Sequence, residues 1–326
     1  MRISRRCFLA GAASAAAGCA LPKEGARHRS DYDGIQIGAI TYSYRDMPLG
    51  VGSTLRDVLG SRLGTIELMG NDLERDLGAP FSDKLSWRLT KEERAAVSGW
   101  RRTVDFGRVR EVRRRYEDAG VFVHAVKFGF LGSAGIADWK NDYCFRVAEA
   151  MGAGVLTREI PDVKDSSAWR PEAKRLKALI AKYGVKVAFH NHLQIDAKTY
   201  DGPLLDWCDG FGINFDIGHY TAANDDDPLA FVRKYHDRIA TIHLKDRTTK
   251  ARGQQNLAFG KGDTPLAGLF ALLKKEKWDY PCDIELEYAI PTGSDAVREV
   301  GVCNDYCRAL IWTPVRGSAC LESYAT

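Results

Sequence analysis

Short apolar runs, each followed by a stretch with helical periodicity, recur along the chain. Four of them end in residue types that bind metals: KVAFHNH (Lys186 to His192), INFDIGH (Ile213 to His219), ATIHLKD (Ala240 to Asp246) and CDIELEY (Cys282 to Tyr288). Upstream, IQIGAITYSY (Ile35 to Tyr44), GTIELMG (Gly64 to Gly70), VFVHAVKFGFL (Val121 to Leu131) and VLTREI (Val155 to Ile160) bring the predicted strands to eight. Near-continuous apolar runs beside glycine suit strands covered on both faces, and an intervening helix is what joins parallel neighbours. Helices are predicted over Ser53 to Leu59, Arg108 to Ala119, Asn141 to Ala153 and Pro171 to Tyr183, the last with Pro in its first turn and Gly184 beyond its end. Asp227-Pro228 and Thr264-Pro265 start two more, and Asp295 to Ile311 closes the series. The expected fold is therefore α/β, a single (β/α)8 TIM barrel over residues 33–311, with its chemistry at the carboxyl ends of the strands.

The remaining segments are trimmings on that barrel. Residues 71–106 are mixed, carry Trp87 and Trp100, and show no strand pattern. They read either as a lid or insertion over the mouth or as a pair of surface helices on the barrel wall. Residues 312–326 form a carboxyl-terminal tail. Residues 1–19 precede the fold: Arg5 and Arg6 stand ahead of Phe8, Leu9 and an Ala/Gly-rich run, which resembles a twin-arginine export signal. The run is too short to span a bilayer as a permanent anchor. Ala17-Gly18-Cys19 resembles a bacterial lipidation site, with Ala16 where Leu or Val is usual, so lipid attachment at Cys19 and simple cleavage both stay open. The expected location is outside the cytoplasm, periplasmic or membrane-anchored as a lipoprotein.

Charge narrows the partners. There are 47 Lys and Arg against 43 Asp and Glu, and much of the basic excess lies in Arg108 to Arg115, the solvated face of a helix. Nucleic acid is not an expected partner. Cys303 and Cys307, four apart on a predicted helix, read as packing residues.

Sites that mix carboxylates with imidazole admit Mn, Mg, Zn or Co. Five of the seven histidines fall in predicted strands: His124, His190, His192, His219 and His243. All but His124 lie near another histidine or an aspartate at a strand end; His124 reads as structural, with Lys127 facing away from it by parity. Alternation places Lys245 on the side of His243, and Glu287 on the side of Glu285. Gly260 and Gly262 around Lys261 make a flexible loop, not a phosphate-binding one, because the G-x-x-x-x-G-K-S/T spacing is absent.

FDIGHY followed by DDDP, then IHLKD, FGKGDTP and DIELEY, resembles the carboxy-terminal half of the xylose-isomerase-like barrel superfamily. That group includes sugar phosphate isomerases and epimerases, inosose dehydratase and endonuclease IV. The resemblance covers residues 33–311 and is strongest from the fifth strand onward. It implies a divalent metal held by Glu, Asp, His and Glu at the ends of strands five to eight. Asp216, His243 and Glu285 match the last three places, and His190 stands in the first, within His190-Asn191-His192. An imidazole there removes one negative charge and leaves a bound metal more electrophilic. It also removes one of the two glutamates with which the epimerases exchange protons. The His-Asn-His form resembles a subgroup of exported barrel proteins, some of which act on 3-keto sugars and glycosides.

Position at the strand ends adds further candidates. Glu159, ending the fourth strand, is a candidate ligand or general base; Glu287 is a candidate base, and Lys245 either stabilises an oxyanion or forms a salt bridge with Asp246 or Glu287. His192, His219, Glu67 and Tyr42 (or Tyr44) are expected to touch substrate. The function implied is a metal-dependent sugar isomerase or epimerase that takes a small-molecule carbohydrate through an enediolate. A lyase eliminating from a 3-keto-sugar or 3-keto-glycoside is the alternative. An endonuclease IV-like phosphodiesterase would need a larger ligand set, and a non-catalytic sugar-binding protein would not need a ligand at all four strand ends.

Overall fold

The computed structural model describes residues 29–85, 88–161 and 166–313. Eight strands, β1 (Ile35–Ile40), β2 (Thr65–Met69), β3 (Phe122–Lys127), β4 (Val155–Glu159), β5 (Lys186–His190), β6 (Phe211–Asp216), β7 (Ile239–Leu244) and β8 (Cys282–Ile284), pair in parallel with their neighbours. β8 also pairs with β1, so the sheet closes into the expected barrel. The chain enters beside the amino ends of β2 and β3, where the Arg29 guanidinium donates to the Ala119 carbonyl. The expected export signal, Cys19 and the segment 314–326 lie outside the described residues.

Strand alternation sorts the side chains. On β6, Phe211, Ile213 and Phe215 point outward: Phe215 stacks on Phe231 at 4.4 Å, and Phe211 packs against Trp169 and Phe189. Asn214 and Asp216 alternate with them and turn inward. Ile242 and Leu244 on β7, and Cys282, Ile284 and Leu286 on and after β8, join the same outer core. A small apolar plug of Ala125, Val155 and Ala188, with Ala240 against it, forms a separate interior cluster. The inward positions nearer the mouth are polar, so the helices hold the barrel by its outside while its axis carries the chemistry.

The predicted helices occur in the expected order with shifted ends. Among the described residues the helices are α1 (Ser53–Gly60), α2 (Gly70–Asp76), α3 (Lys91–Arg101), α4 (Phe106–Asp118), α5 (Asp138–Met151), α6 (Ser166–Tyr183), α7 (Ile217–Ala223), α8 (Pro228–Lys234), α9 (Leu266–Glu276) and α10 (Ala296–Trp312), of which α2 and α7 are additional. Asp105, Asp227 and Asp295 accept from backbone N–H groups at the starts of α4, α8 and α10. α6 starts earlier than expected, so Pro171 lies inside it. Between residues 71 and 106 no strand occurs among the described residues. Thr90 and Glu93 form a capping box that opens α3. Arg101 then binds both oxygens of Glu74 at 2.6 and 2.9 Å, tying α3 to α2.

Three expectations about individual strands are corrected. Thr41 to Tyr44 is a turn of 3-10 helix, not the end of β1. His219 lies in α7, because the Asp216 side chain accepts from the His219 N–H at 2.6 Å and starts a helix where the apolar run suggested more strand. His124 and Lys127 do not face opposite ways: the register of β2 against β3 passes from Ile66↔Val123 to Glu67↔Ala125, leaving His124 as an extra residue that resets the alternation. The His124 ring pairs with buried Asp283 at 2.9 Å, and Lys127 pairs with Glu159 at 2.9 Å.

Gly38 on β1 makes room for that inner layer. A Cβ there would stand 2.5 Å from Asp283 Oδ1 and 2.8 Å from the Thr65 carbonyl oxygen. Gly38→Ala should therefore destabilise the fold by about 1–3 kcal/mol through overpacking against backbone. Urea denaturation should show this as a lower midpoint with an unchanged slope, and an unaltered midpoint would mean that the layer has slack.

Candidate metal centre at the barrel mouth

Four strand ends converge. Each of His190, Asp216, His243 and Glu285 is buried and offers one ligand atom within 4.8 Å of the others. Local sequence explains their placement: His190 and Asp216 are the last residues of β5 and β6, His243 lies beside Asp216 in register, and Glu285 follows β8 with its N–H bonded to the Leu244 carbonyl.

Outer contacts fix the orientation of three of the four. His190 Nδ1 lies 3.1 Å from Asn214 Oδ1, Asp216 Oδ1 accepts from the His219 N–H, and His243 Nε2 lies 2.9 Å from Glu67 Oε2. What remains faces the common centre. His190 Nε2 is buried without a hydrogen-bond partner, Asp216 Oδ2 is buried with no hydrogen bond and the Lys245 ammonium 3.2 Å away, and His243 Nδ1 lies 2.8 Å from Glu285 Oε2. A buried lone pair without a partner, as on His190 Nε2, is costly unless something fills the space beside it. A set of two imidazoles and two carboxylates, with their far sides held by amide, backbone and carboxylate, fits a divalent cation.

Charge in the cation-free arrangement is shared differently. Burial pushes the His243 pKa down, but Glu67 and Glu285 outweigh it and raise it to about 10, making an imidazolium that bridges two carboxylates. Burial would raise both of those acids. The His243 charge instead brings Glu67 to about 2, and Lys245 with His243 holds Glu285 well below the usual carboxylate range. Burial raises Asp216 against the pull of Lys245. Burial, with Lys127 and His243, keeps His190 far below the ordinary imidazole value, hence neutral and able to ligate.

Lys245 is buried and donates to Glu287 Oε2 at 2.6 Å, with Asp216 Oδ2 and Glu285 Oε2 each 3.2 Å away. The expected alternative partner, Asp246, is engaged elsewhere: its carboxylate accepts from the backbone N–H groups of Gly260, Lys261, Gly262 and Thr264. The glycine-rich loop expected to be flexible is thus wrapped around an internal anion.

The proposed substrate contacts divide. His192 is exposed beyond the end of β5, 3.4 Å from Glu159 Oε2. His219 lies between Lys245 Nζ at 2.9 Å and Arg247 Nη1 at 2.5 Å. Burial and Lys245 lower its pKa to about 2, so the ring is neutral with one lone pair for two donors. Tyr42 lines a cleft of about 200 Å³ beside the mouth with Arg45, Asn71 and Asp72, its ring 4.3 Å from the Arg45 guanidinium.

Glu67 is placed differently from a sugar contact. It is fully buried beneath His243, with Oε1 accepting from Thr157 at 2.6 Å and Oε2 from Asn214 at 2.7 Å. Asn191, Asn214 and Arg247 were not among the expected site residues. Asn214 and Arg247 each stand two positions from one, Asp216 and Lys245, so strand parity carried a signal for both.

The imidazole shifts set the pH dependence of the chelator-treated protein. His243, raised to about 10, contributes stability fully below its unfolded value near 6.5 and loses it as pH climbs toward 10; His219, lowered to about 2, contributes above 6.5 and loses it as pH falls. Thermal midpoints measured from pH 4 to 10 should peak near neutrality. A midpoint still rising at pH 10 would contradict the bridging imidazolium.

Residues 89–306 match the family model of the xylose isomerase-like TIM barrel. Inosose dehydratase of Lactiplantibacillus plantarum is 36% identical over 72 residues, 21% of this chain and 24% of that enzyme, so the match spans about a quarter of the relative's length. Two solved structures share the fold. A protein described as a probable 3-DHS dehydratase from Bacillus anthracis superposes with a TM-score of 0.61 at 12% identity, covering 83% of this chain and 98% of its own. The 3-keto-D-glucoside 4-epimerase of E. coli superposes with a TM-score of 0.57 at 13% identity, covering 84% and 99%. With the family model spanning most of the barrel, this chain belongs to the xylose isomerase-like TIM barrel family.

Proposed function

We propose that the protein is a divalent-metal-dependent enzyme that isomerises or epimerises a sugar or keto-sugar by moving a proton at a carbon beside a carbonyl. The observation that carries this reading is the convergence of His190 Nε2, Asp216 Oδ2, His243 and Glu285 on one buried point. A divalent cation bound there would supply Lewis acidity to a carbonyl and its neighbouring hydroxyl. The chain's own groups do the rest. Glu287, about a quarter exposed and tied to Lys245, is placed to take the proton from carbon. The Lys245 ammonium, its pKa raised because Asp216 and Glu285 outweigh burial, faces the oxygen on which negative charge develops. His219, set beside Lys245 and Arg247, contacts a substrate hydroxyl.

Elimination is the second reading. His190 contributes no negative charge, which favours build-up of charge on the substrate over its return to carbon. The similarity to two dehydratases points the same way. Epimerisation is supported by the fold shared with a 3-keto-D-glucoside 4-epimerase. We also propose export, supported by Arg5-Arg6 and the run ending at Cys19.

Metal-loaded protein incubated in D₂O with aldoses, ketoses and 3-keto-glycosides should introduce deuterium beside the carbonyl, read by NMR; an unsaturated product would assign elimination. Asp216→Ala should lose bound metal by mass spectrometry and lose the exchange with it. No exchange with any probe, together with unchanged metal content in that variant, defeats the reading. In a bacterial host with lipoprotein processing, Cys19→Ala should move the protein from the membrane to the soluble fraction. An unchanged distribution would rule out the lipid anchor.

A further inference from the structure

β4 and β8 are four strands apart whichever way the ring is followed, so groups at their carboxyl ends face each other across the barrel axis. Each carries a glutamate tied to a lysine from the strand before it: Glu159 Oε1 lies 2.9 Å from Lys127 Nζ, and Glu287 Oε2 lies 2.6 Å from Lys245 Nζ. Lys127 sits deep in the wall, with Glu159, Glu67 and Glu285 offsetting the burial that would otherwise discharge it. Only one oxygen of Glu159 is taken up by this pair. Its Oε2 has no hydrogen-bond partner among the described residues and has the His192 ring 3.4 Å away as its nearest ionic neighbour. A carboxylate held by one oxygen, with the other buried and unpartnered beside His192, has a lone pair left for a ligand that enters the mouth.

Resting on the reading above, we propose that Glu159 is the second acid-base group of the site, serving the wall opposite Glu287. Glu287 takes the proton from the carbon beside the carbonyl, and the C–H electron pair moves into the carbonyl system to give the enediolate. Glu159, in its carboxylic acid form, delivers a proton to the opposite face of that carbon, and the carbonyl re-forms. If the next carbon carries a leaving oxygen, the Glu159 proton goes to that oxygen. The C–O bond then breaks with its electron pair on oxygen, giving an enone and an alcohol. In either case Glu287 ends protonated and Glu159 ionised, and exchange with water restores both. His192 and Lys127 act through Glu159 and are positioning residues.

The experiment follows deuterium uptake and product formation separately for wild type, Glu159→Gln, Glu159→Asp and Glu287→Gln, using the same aldoses, ketoses and 3-keto-glycosides in D₂O, with metal content and melting measured alongside. Loss of a positioned acid or base costs about 10²–10⁴-fold. Glu287→Gln should lose uptake and product together. Glu159→Gln should lose product by at least about 100-fold while uptake into the starting probe falls by no more than about tenfold, and Glu159→Asp should recover part of the product rate. Glu159→Gln forming product at close to the wild-type rate overturns the assignment, as does loss of uptake and product together with metal and melting intact. If wild type exchanges with no probe, the underlying reading fails first, and this inference goes with it.

Discussion

Glu67, His243 and Glu285 form a continuous carboxylate–imidazole–carboxylate chain buried inside the barrel, and the polarity of the mouth depends on it. Each member would be expensive to bury alone, several kcal/mol for an isolated ion. The protonated ring satisfies both acids at 2.9 and 2.8 Å, so the chain carries one net negative charge where two would otherwise stand. Thr157 and Asn214 complete the bonding of Glu67 and prevent it from turning away. The same chain sets the geometry of ligation: with Nε2 held from below by Glu67, the His243 ring can offer only Nδ1 to the centre. A divalent cation arriving there would replace the Nδ1 proton, putting two positive charges where one stood among the carboxylates of Asp216 and Glu285.

Around that chain, two lysines distribute the remaining charge. Lys245 neutralises the Asp216, Glu285 and Glu287 side, and Lys127 neutralises Glu159. β4 and β8 are diametrically opposed, so a lysine-tied carboxylate stands on each wall, while β5 contributes an imidazole where a carboxylate was expected from the family pattern. His190 has only its Nε2 to offer the centre, since Asn214 occupies Nδ1.

Much of this was legible in the chain itself. Apolar runs such as INFD and ATIHL identify barrel strands because parallel strands are covered on the outside and must be apolar there. The residues closing those runs identify the mouth because βα loops carry the chemistry in this architecture. What could not be read depends on local geometry that alternation does not encode. The bulge at His124 turned Lys127 inward, the capping carboxylate of Asp216 converted the following residues to helix, and Glu67 was drawn beneath His243 by Thr157 and Asn214 from two other strands. Arg247 and Asn214 were legible in principle from their spacing to Lys245 and Asp216. Their importance comes from partners distant in sequence, His219 and His190.

Asp246 fills the cradle of backbone N–H groups made by residues 260–264, the feature that a glycine-rich loop at a barrel mouth most readily offers to a phosphoester. A Cβ at Gly262 would stand 2.2 Å from Asp246 Oδ1, so the loop and the acid are fitted to each other with no space for a second anion. A phosphorylated carbohydrate would find that berth taken, and any phosphate-recognising role on this mouth must fall to side chains elsewhere. The same internal anchor sets Arg247 beside His219, so the loop works as a brace for that pair.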